Sequence, residues 1–370
     1  MIRSPSITAA MKPYFPELRI AVTRPFKNYI LLVTAALSQY LVTVTNTVSS
    51  LPLLLAMMLT CFLPTFTLGT FRHEYGVSYG YATATAMSAL WMYQYISKFT
   101  TFPPIACAAS FSSSFFSSFI HLAQLHCGTI LFHGIRLNTY FLFRECTIPK
   151  FRRMRDRIEK RQILIDGSQP KILARFPFLL CCSCLYFALV MPAYVSMVLA
   201  MTTTTTVPAN TVTNMIISSA TTTPSMMMTL YASSLVLTCI FFALGALGDV
   251  HKSISKACFG SHHLVTGGIY KYIRHPNYSA EMMGWIFSAI SPIWGIIAGR
   301  QFLSLSLLCR RIFIPLLLGF VGALGMSFIL SAATFSLEVR QKEKYGAMET
   351  YTVWVQRSWA GITFNPMSAK

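Results

Sequence analysis

The 370-residue chain is 54% hydrophobic and only 11% charged. A soluble domain carries about 25% charged residues, so a soluble globular enzyme is excluded and a polytopic membrane protein is implied. Its 30 Lys and Arg against 11 Asp and Glu give a net charge of +19, yet these cations gather in short loops between apolar runs, which reads as membrane topology and headgroup contact and not as a nucleic-acid-binding module.

Residues 1–29 hold Arg3, Lys12, Arg19, Arg24 and Lys27 against one acid, Glu17. A cytosolic juxtamembrane tail and an acid-poor transit peptide both fit. Apolar runs follow at 30–46, 51–69 and 79–97, each near the roughly 20 residues that a spanning helix needs. The polar patch Arg72-His73-Glu74-Tyr75 separates the last two. Glu74 has two readings, a plain loop residue or a proton-handling group at the membrane face.

Residues 103–144 predict two close helices, the first rich in the Ser and Ala that allow tight packing. Arg136, Tyr140 and Arg144 recur at i, i+4 and i+8 and form one polar stripe. Arg144 can snorkel to the interface, whereas Arg136, two turns deeper, is expected to pair with an acid or an anionic ligand. The stretch 150–161 is the strongest basic loop and belongs in the cytosol. Apolar runs at 176–200 and 226–248 flank a Thr-rich, uncharged loop at 202–225, read as lumenal. The chain then returns to the cytosol at Asp249, with Lys252 and Lys256 close behind.

Apolar runs at 281–299 and 312–335 predict a helical hairpin. Its tip carries Arg300, Arg310 and Arg311 on the lumenal side, against the positive-inside rule. Either these spans stop short of crossing or the topology differs. The charged tail from Glu338 to Arg357 reads as cytosolic. The ten cysteines show neither paired CxxC motifs nor Cys/His spacing. They read as small buried hydrophobes, and no metal is expected.

The densest polar cluster is 268–281, Gly-Ile-Tyr-Lys-Tyr-Ile-Arg-His-Pro-Asn-Tyr-Ser-Ala-Glu. Ionisable groups beside the hydrocarbon region tend to face a protein-lined site, and so many in one stretch call for a ligand. Gly267-Gly268 permits a sharp turn, and Pro276 predicts a helix opening near Asn277 whose N-terminus suits an anion. With Asp249 to Lys256 and the Glu338 to Arg357 tail on the same membrane face, cations, acids and aromatic faces converge as a nucleotide-type cofactor requires. Neither a GxGxxG fingerprint nor a P-loop is present, so a soluble dinucleotide fold is excluded.

These residues carry a resemblance. Gly-x-Tyr-x-x-x-Arg-His-Pro-x-Tyr-x-x-Glu, a hairpin, and a Glu…Lys…Tyr…Arg tail are similar to the steroid 5-alpha-reductase C-terminal-domain (DUF1295-like) membrane proteins and sterol reductases, which use NADPH. The same superfamily includes the isoprenylcysteine carboxyl methyltransferases and phospholipid methyltransferases, which use S-adenosylmethionine. The resemblance covers roughly 130–360. Three details lean toward the reductases: Asn277-Tyr278 with Glu281, the element Asp249-x-x-Lys252-x-x-x-Lys256, and His133-Gly-x-Arg136-Leu137 with Arg144, which resembles a Trp-x-x-Arg-Leu…Arg helix. Ser279-Ala280 departs from the usual Phe-Gly or Leu-Gly.

The resemblance implies NADPH bound by Arg136, Asp249, Lys252, Lys256, Tyr270, Arg274, His275, Asn277, Tyr278, Glu281, Glu338, Tyr351 and Arg357, and reduction of a carbon–carbon double bond in a steroid, sterol or other lipophilic substrate. Glu74, Tyr75 and Tyr278 are the expected catalytic residues. The methyltransferase alternative puts S-adenosylmethionine at His275 and Tyr278, with Glu281, Glu338 and Arg357 taking its polar ends. A non-enzymatic membrane scaffold is a third reading. The expected architecture is all-α, a polytopic integral membrane bundle of about seven to nine transmembrane helices with a cofactor cavity on the cytosolic side. It divides into a tail (1–29), N-terminal membrane helices (30–125) and a catalytic membrane domain (126–366). The expected setting is the endoplasmic reticulum membrane, or alternatively a plastid or mitochondrial one, with the lipid bilayer and a lipophilic small molecule as partners.

Overall fold

The computed structural model describes residues 53–101, 110–147, 153, 155–157, 172–205, 223–260, 262–300, 303 and 308–362. The basic tail, the apolar run at 30–46 and most of the Thr-rich loop lie outside these residues. The described residues are helical: α1 (Leu53–Phe71), α2 (His73–Val77), α3 (Tyr79–Thr101), α4 (Ser110–Thr147), α5 (Ile172–Thr205), α6 (Thr223–Phe259), α7 (Pro276–Gly299), α8 (Ile314–Tyr345) and α9 (Glu349–Arg357). A 3₁₀ turn spans Gly268–Lys271, and a π-helical turn, Leu308–Phe313, leads into α8.

Among the described residues, five helical stretches are long and apolar enough to cross a membrane: Leu53–Thr70, Ala174–Thr203, Met226–Phe259, Pro276–Gly299 and Arg311–Tyr345. The protein is therefore an integral membrane protein whose described elements are helices. The last two form the expected hairpin, and each is long and apolar enough to cross a membrane. One expectation is corrected. The chain over Ser110–Thr147 is a single helix of 38 residues, where two had been expected, because no Pro or Gly interrupts the Ser-rich half before Gly128 and small side chains are compatible with helix. The cysteine reading is corrected in part: Cys61, Cys127 and Cys146 are buried, whereas Cys181, Cys184 and Cys239 are exposed on α5 and α6.

The chain forms two compact units. The first comprises Met1–Ala84, Gly134–Cys184 and Val250–Val265; the second comprises Thr85–His133, Leu185–Asp249 and Thr266–Lys370. In the first, α2 and the start of α3 fold back on α1 through small residues. A Cβ on Gly76 would sit 2.8 Å from the Thr65 carbonyl oxygen, and one on Gly80 3.1 Å from Thr65 Cα. The start of α5 packs on the end of α1, with the Phe66 and Phe176 rings 5.1 Å apart and His73 stacked on Phe178 at 4.3 Å.

In the second unit α8 lies antiparallel to α5. Gly319, Gly322 and Gly325 meet Pro192, Ala188 with Leu189, and Leu185 in turn. The opposite side of α8 exposes Ile314, Leu317, Val321, Leu324 and Phe328, an apolar stripe suited to lipid. Without a hydrophobic drive between helices in lipid, backbone approach over small residues is what binds them. A Cβ at position 322 would stand 2.8 Å from the Ala188 carbonyl carbon and the Leu189 nitrogen. Both are backbone atoms that cannot swing aside. Gly322→Val is therefore expected to destabilise by about 1–3 kcal/mol or more, whereas Leu324→Ala on the exposed side is expected to stay within about 0.5 kcal/mol. Thermal melting in detergent checks both; equal melting temperatures would refute the packing argument.

Candidate functional site

The segment between α6 and α7 is built from the turn residues upward. Gly260 has φ +88° and Gly268 φ +59°, a region that favours glycine, so Gly268 makes the sharp turn that opens the 3₁₀ segment. Tyr270 is buried within that turn; its hydroxyl donates to the Gly248 carbonyl at 3.0 Å, and its own carbonyl accepts from Trp354 Nε1 at 2.7 Å. The chain then runs extended beside the C-terminal segment. The Trp359 N–H donates to the Tyr272 carbonyl and the Arg274 N–H to the Trp359 carbonyl, each at 2.8 Å, forming a parallel bridge between Ile273 and Trp359. Pro276 then opens α7, with His275 at the N-cap position, one residue before the expected start.

Arg274 and His275 are almost fully buried. Arg274 Nε donates to Glu338 Oε1 at 2.9 Å, and His275 Nε2 lies 2.6 Å from the same oxygen. Arg274 Nη1 donates to the carbonyls of Val355, at 3.1 Å, and Ser358, at 2.6 Å. One guanidinium and one imidazole thus tie the opening of α7 to α8 and to the end of α9. Charge-assisted bonds of this kind are the strong ones, and here they fix three chain segments at once. Tyr351 is buried on α9, 6.1 Å from the Trp354 ring. Burial, then the Glu338 charge, push its phenol above the ordinary range, against a smaller lowering by Arg274.

Ser279 Oγ accepts from the Ile362 N–H at 3.0 Å, next to Gly361 with its φ of +98°. The departure at Ser279 therefore has a structural role here, as the anchor of the C-terminal segment on α7.

The first turns of α7 carry the other predicted groups. Asn277 Nδ2 donates to Asp249 Oδ1 at 3.1 Å. The approach of α6 that allows this depends on Gly248, whose added Cβ would stand 3.3 Å from the Asn277 nitrogen and 3.5 Å from Pro276 Cγ. Tyr278 lies parallel to His275, centroids 6.4 Å apart. Glu281 follows one turn after Asn277, its Oε1 3.6 Å from Nε2 of the fully buried His133. Asp249, Tyr270, Arg274, His275, Asn277, Tyr278, Glu281, Glu338 and Tyr351 all belong to one unit. Arg357 is exposed in the last turn of α9. Lys252 and Lys256, on α6 beyond Asp249, belong to the first unit.

Arg136, Glu74 and Tyr75 belong to the first unit. Arg136 is half-buried on α4. Tyr140, a turn on, shares a 3.1 Å hydrogen bond with Ser253, and Arg144 lies over its ring at 5.4 Å. Glu74 sits in the first turn of α2. The acid that meets Tyr75 is Glu145, at the end of α4. Its carboxylate accepts from the Tyr75 hydroxyl and, at 2.8 Å, from the Tyr79 hydroxyl. Arg155 lies over both rings, at 4.7 and 5.3 Å, with Nη1 3.9 Å from Glu145 Oε2. Nearby, Arg72 pairs with Asp156 at 3.0 Å. Burial first, and the Glu145 carboxylate second, push the Tyr75 phenol far above its ordinary range, so it stays protonated at physiological pH.

Sequence reasoning had missed Tyr79, Glu145 and Arg155 as one cluster. The available signal was the scarcity of acids: a chain with 11 acids and 30 cations has few to bury. Among the described residues no group of three or more His, Cys, Asp or Glu is placed to hold a metal ion.

Searches of curated proteins and of solved structures return no match to this chain. A family profile described as a protein of unknown function, DUF1295, matches residues 106–357, which takes in α4 to α9 but not the C-terminal segment after α9 that bonds to Tyr272, Arg274 and Ser279. The chain is a helical membrane protein that belongs to the DUF1295 family.

Proposed function

We propose that this protein is an NADPH-dependent reductase embedded in the membrane, acting on a carbon–carbon double bond of a steroid, sterol or other lipophilic substrate. The observation that carries this reading is the Asn277–Asp249 hydrogen bond of 3.1 Å. It joins the two sequence elements, one on α6 and one on α7, that lean toward the reductase pattern.

The residues present fit such a cofactor. A Cβ on Gly267 would meet nothing within 4 Å, so the backbone ahead of the 3₁₀ turn is open to a ligand. Acids and an amide at Asp249, Asn277 and Glu281 suit ribose hydroxyls and a carboxamide, and Lys252 and Lys256 on one face of α6 suit phosphates. NADPH, when bound, supplies a hydride. Asn277 orients Asp249 as a hydroxyl acceptor, Tyr278 offers a ring face for stacking, and Tyr270 holds the turn against α6. Arg274, His275 and Glu338 set the position of α7. Because Glu338 Oε1 already accepts from Arg274 and His275, we assign Glu338 to holding α7 and not to contact with either cofactor. Tyr278, in the same turn as Asn277, is the hydroxyl we assign to proton supply.

The proposed topology has a cytosolic N-terminus. Taking α3, α4 and the apolar run at 30–46 as crossings, besides the five apolar helices, gives about eight. The Thr-rich loop then falls in the lumen, while the loop at 150–161 and the C-terminal tail fall in the cytosol. The Arg72–Asp156 pair is consistent with this count, since both residues lie on the cytosolic side. The cofactor cavity opens to the cytosol, and the endoplasmic reticulum is the proposed membrane.

The test is parallel titration of NADPH and S-adenosylmethionine into the purified protein in detergent. NADPH binding is expected, weakened about 10–100-fold by Lys252→Ala and about tenfold by Asn277→Ala, with melting temperature as the folding control. Binding of adenosylmethionine alone would replace this reading with a methyltransferase. Binding of neither would leave a scaffold.

A further inference from the structure

α4 carries two fully buried histidines, His126 and His133, seven residues and so two turns apart on one face. Each meets a polar residue on α7. His126 Nε2 lies 2.8 Å from Ser288 Oγ, and His133 Nε2 lies 3.6 Å from Glu281 Oε1. Because 288 and 281 are also seven apart, in the opposite sense, the two contacts form an antiparallel ladder. The Ser288 rung is held from a third side, since His126 Nδ1 lies 2.9 Å from Ser196 Oγ, which itself donates to the Pro192 carbonyl at 3.2 Å. This locks the register of α4 against α7 and leaves His133 little freedom to drift from Glu281.

The His133 ring is further confined by apolar partners. It stacks on Phe242 at 3.9 Å and 22° and meets Trp285 edge-on at 5.7 Å. Gly284 lets Phe242 in, since a Cβ there would lie 2.5 Å from the Phe242 ring. Packing alone would be served by a phenyl ring at position 133. A histidine buried among aromatic rings and aimed at a carboxylate points to a polar task, because a polar group without a partner in such surroundings is costly.

We infer that His133 is the positioning residue of Glu281: its Nε2, 3.6 Å from Oε1, fixes where the carboxyl lies one turn beyond Asn277, the partner of Asp249. This rests on the reductase reading, in which Glu281 fixes the nicotinamide half of the cofactor, and it adds a residue outside the binding surface that determines how tightly that half is held. Ionisable groups at this end of α7 include His133 from α4, Asp249 from α6, Glu338 from α8, Tyr351 from α9, Tyr270, Arg274 and His275 from the segment ahead, and Tyr278 from α7 itself.

Two substitutions at His133 separate positioning from packing. His133→Phe keeps the ring volume against Phe242 and Trp285 and removes the polar contact; His133→Gln keeps an N–H donor and removes the ring. If His133 positions Glu281, His133→Phe weakens NADPH binding about tenfold while His133→Gln stays within about threefold of the parent. A packing role predicts the reverse order and would overturn the inference. A second readout needs no cofactor: the infrared carboxyl signal of Glu281, identified as the signal that Glu281→Gln removes, is expected to shift in His133→Phe. An unshifted signal in both His133 variants refutes the contact. If the parent protein binds no NADPH but the signal shifts, the reductase reading fails and the His133–Glu281 coupling stands.

Discussion

Glu338→Ala is expected to be among the most damaging single substitutions in this protein, lowering stability by about 3–5 kcal/mol. One carboxylate oxygen accepts from both Arg274 and His275, and both side chains are at most 5% exposed. Without it, buried charge loses its counter-charge while the low dielectric that made the pair strong remains. The neighbouring bonds of Arg274 to Val355 and Ser358 would then have to hold the C-terminal segment alone. The measurement is thermal melting in detergent, with limited proteolysis at the C-terminal tail as a local probe. Early cleavage near α9 is expected to accompany the fall. Glu338→Gln retains an acceptor and is expected to fall in between, because a neutral amide replaces a charge-assisted bond. A Glu338→Ala protein that melts like the parent would show that the contacts at the start of α7 are not held by this carboxylate.

The second large effect is expected at Glu145, in the other unit. Glu145→Leu removes the acceptor shared by the Tyr75 and Tyr79 hydroxyls and the carboxylate beside Arg155. Arg155 is only 3% exposed, so the loss is again expected at about 3–5 kcal/mol. The pair can be tested for coupling. Replacing Arg155 by Met in the Glu145→Leu background removes the buried charge as well, and two apolar side chains in place of a broken ion pair often restore stability. The double variant is therefore expected to melt above Glu145→Leu alone. If the two losses simply add, the residues act independently and the cluster is not a unit.

Much of the architecture was legible in the chain because membrane helices announce themselves. A run of about 20 apolar residues must satisfy its backbone internally, and helix is the local way to do so. This is why the spans at 51–69, 176–200 and 226–248 and the hairpin at 281–299 and 312–335 coincide with helices. The turn at Gly268 and the opening of α7 at Pro276 were also readable, since positive φ at glycine and a fixed φ at proline are properties of single residues. The misreading over 103–144 has the opposite origin. Its length and Ser- and Ala-rich first half suggest one helix followed by a second, but no Pro between Ser110 and Thr147 forces a break, and α4 runs through as one helix.

What the chain could not disclose was partnership. Tyr75 was paired in sequence with its neighbour Glu74, yet its hydroxyl finds Glu145, 70 residues away. Glu338 read as a ligand group on a charged tail, yet it meets Arg274 and His275. His133 was part of a motif, while its contact with Glu281 required α4 and α7 to run antiparallel in one register. Short-range preferences, hydropathy and turn chemistry act along the chain, so the sequence by itself determined an all-helical membrane protein with one dense polar motif between two apolar runs. Hydrogen bonds and ion pairs between distant residues depend on which helix faces meet, and that is settled by side-chain packing over glycines such as Gly248, Gly284 and Gly322. Only the tertiary structure decided which acids pair with which cations, because those choices are made by geometry across helices and leave no period or motif in the chain.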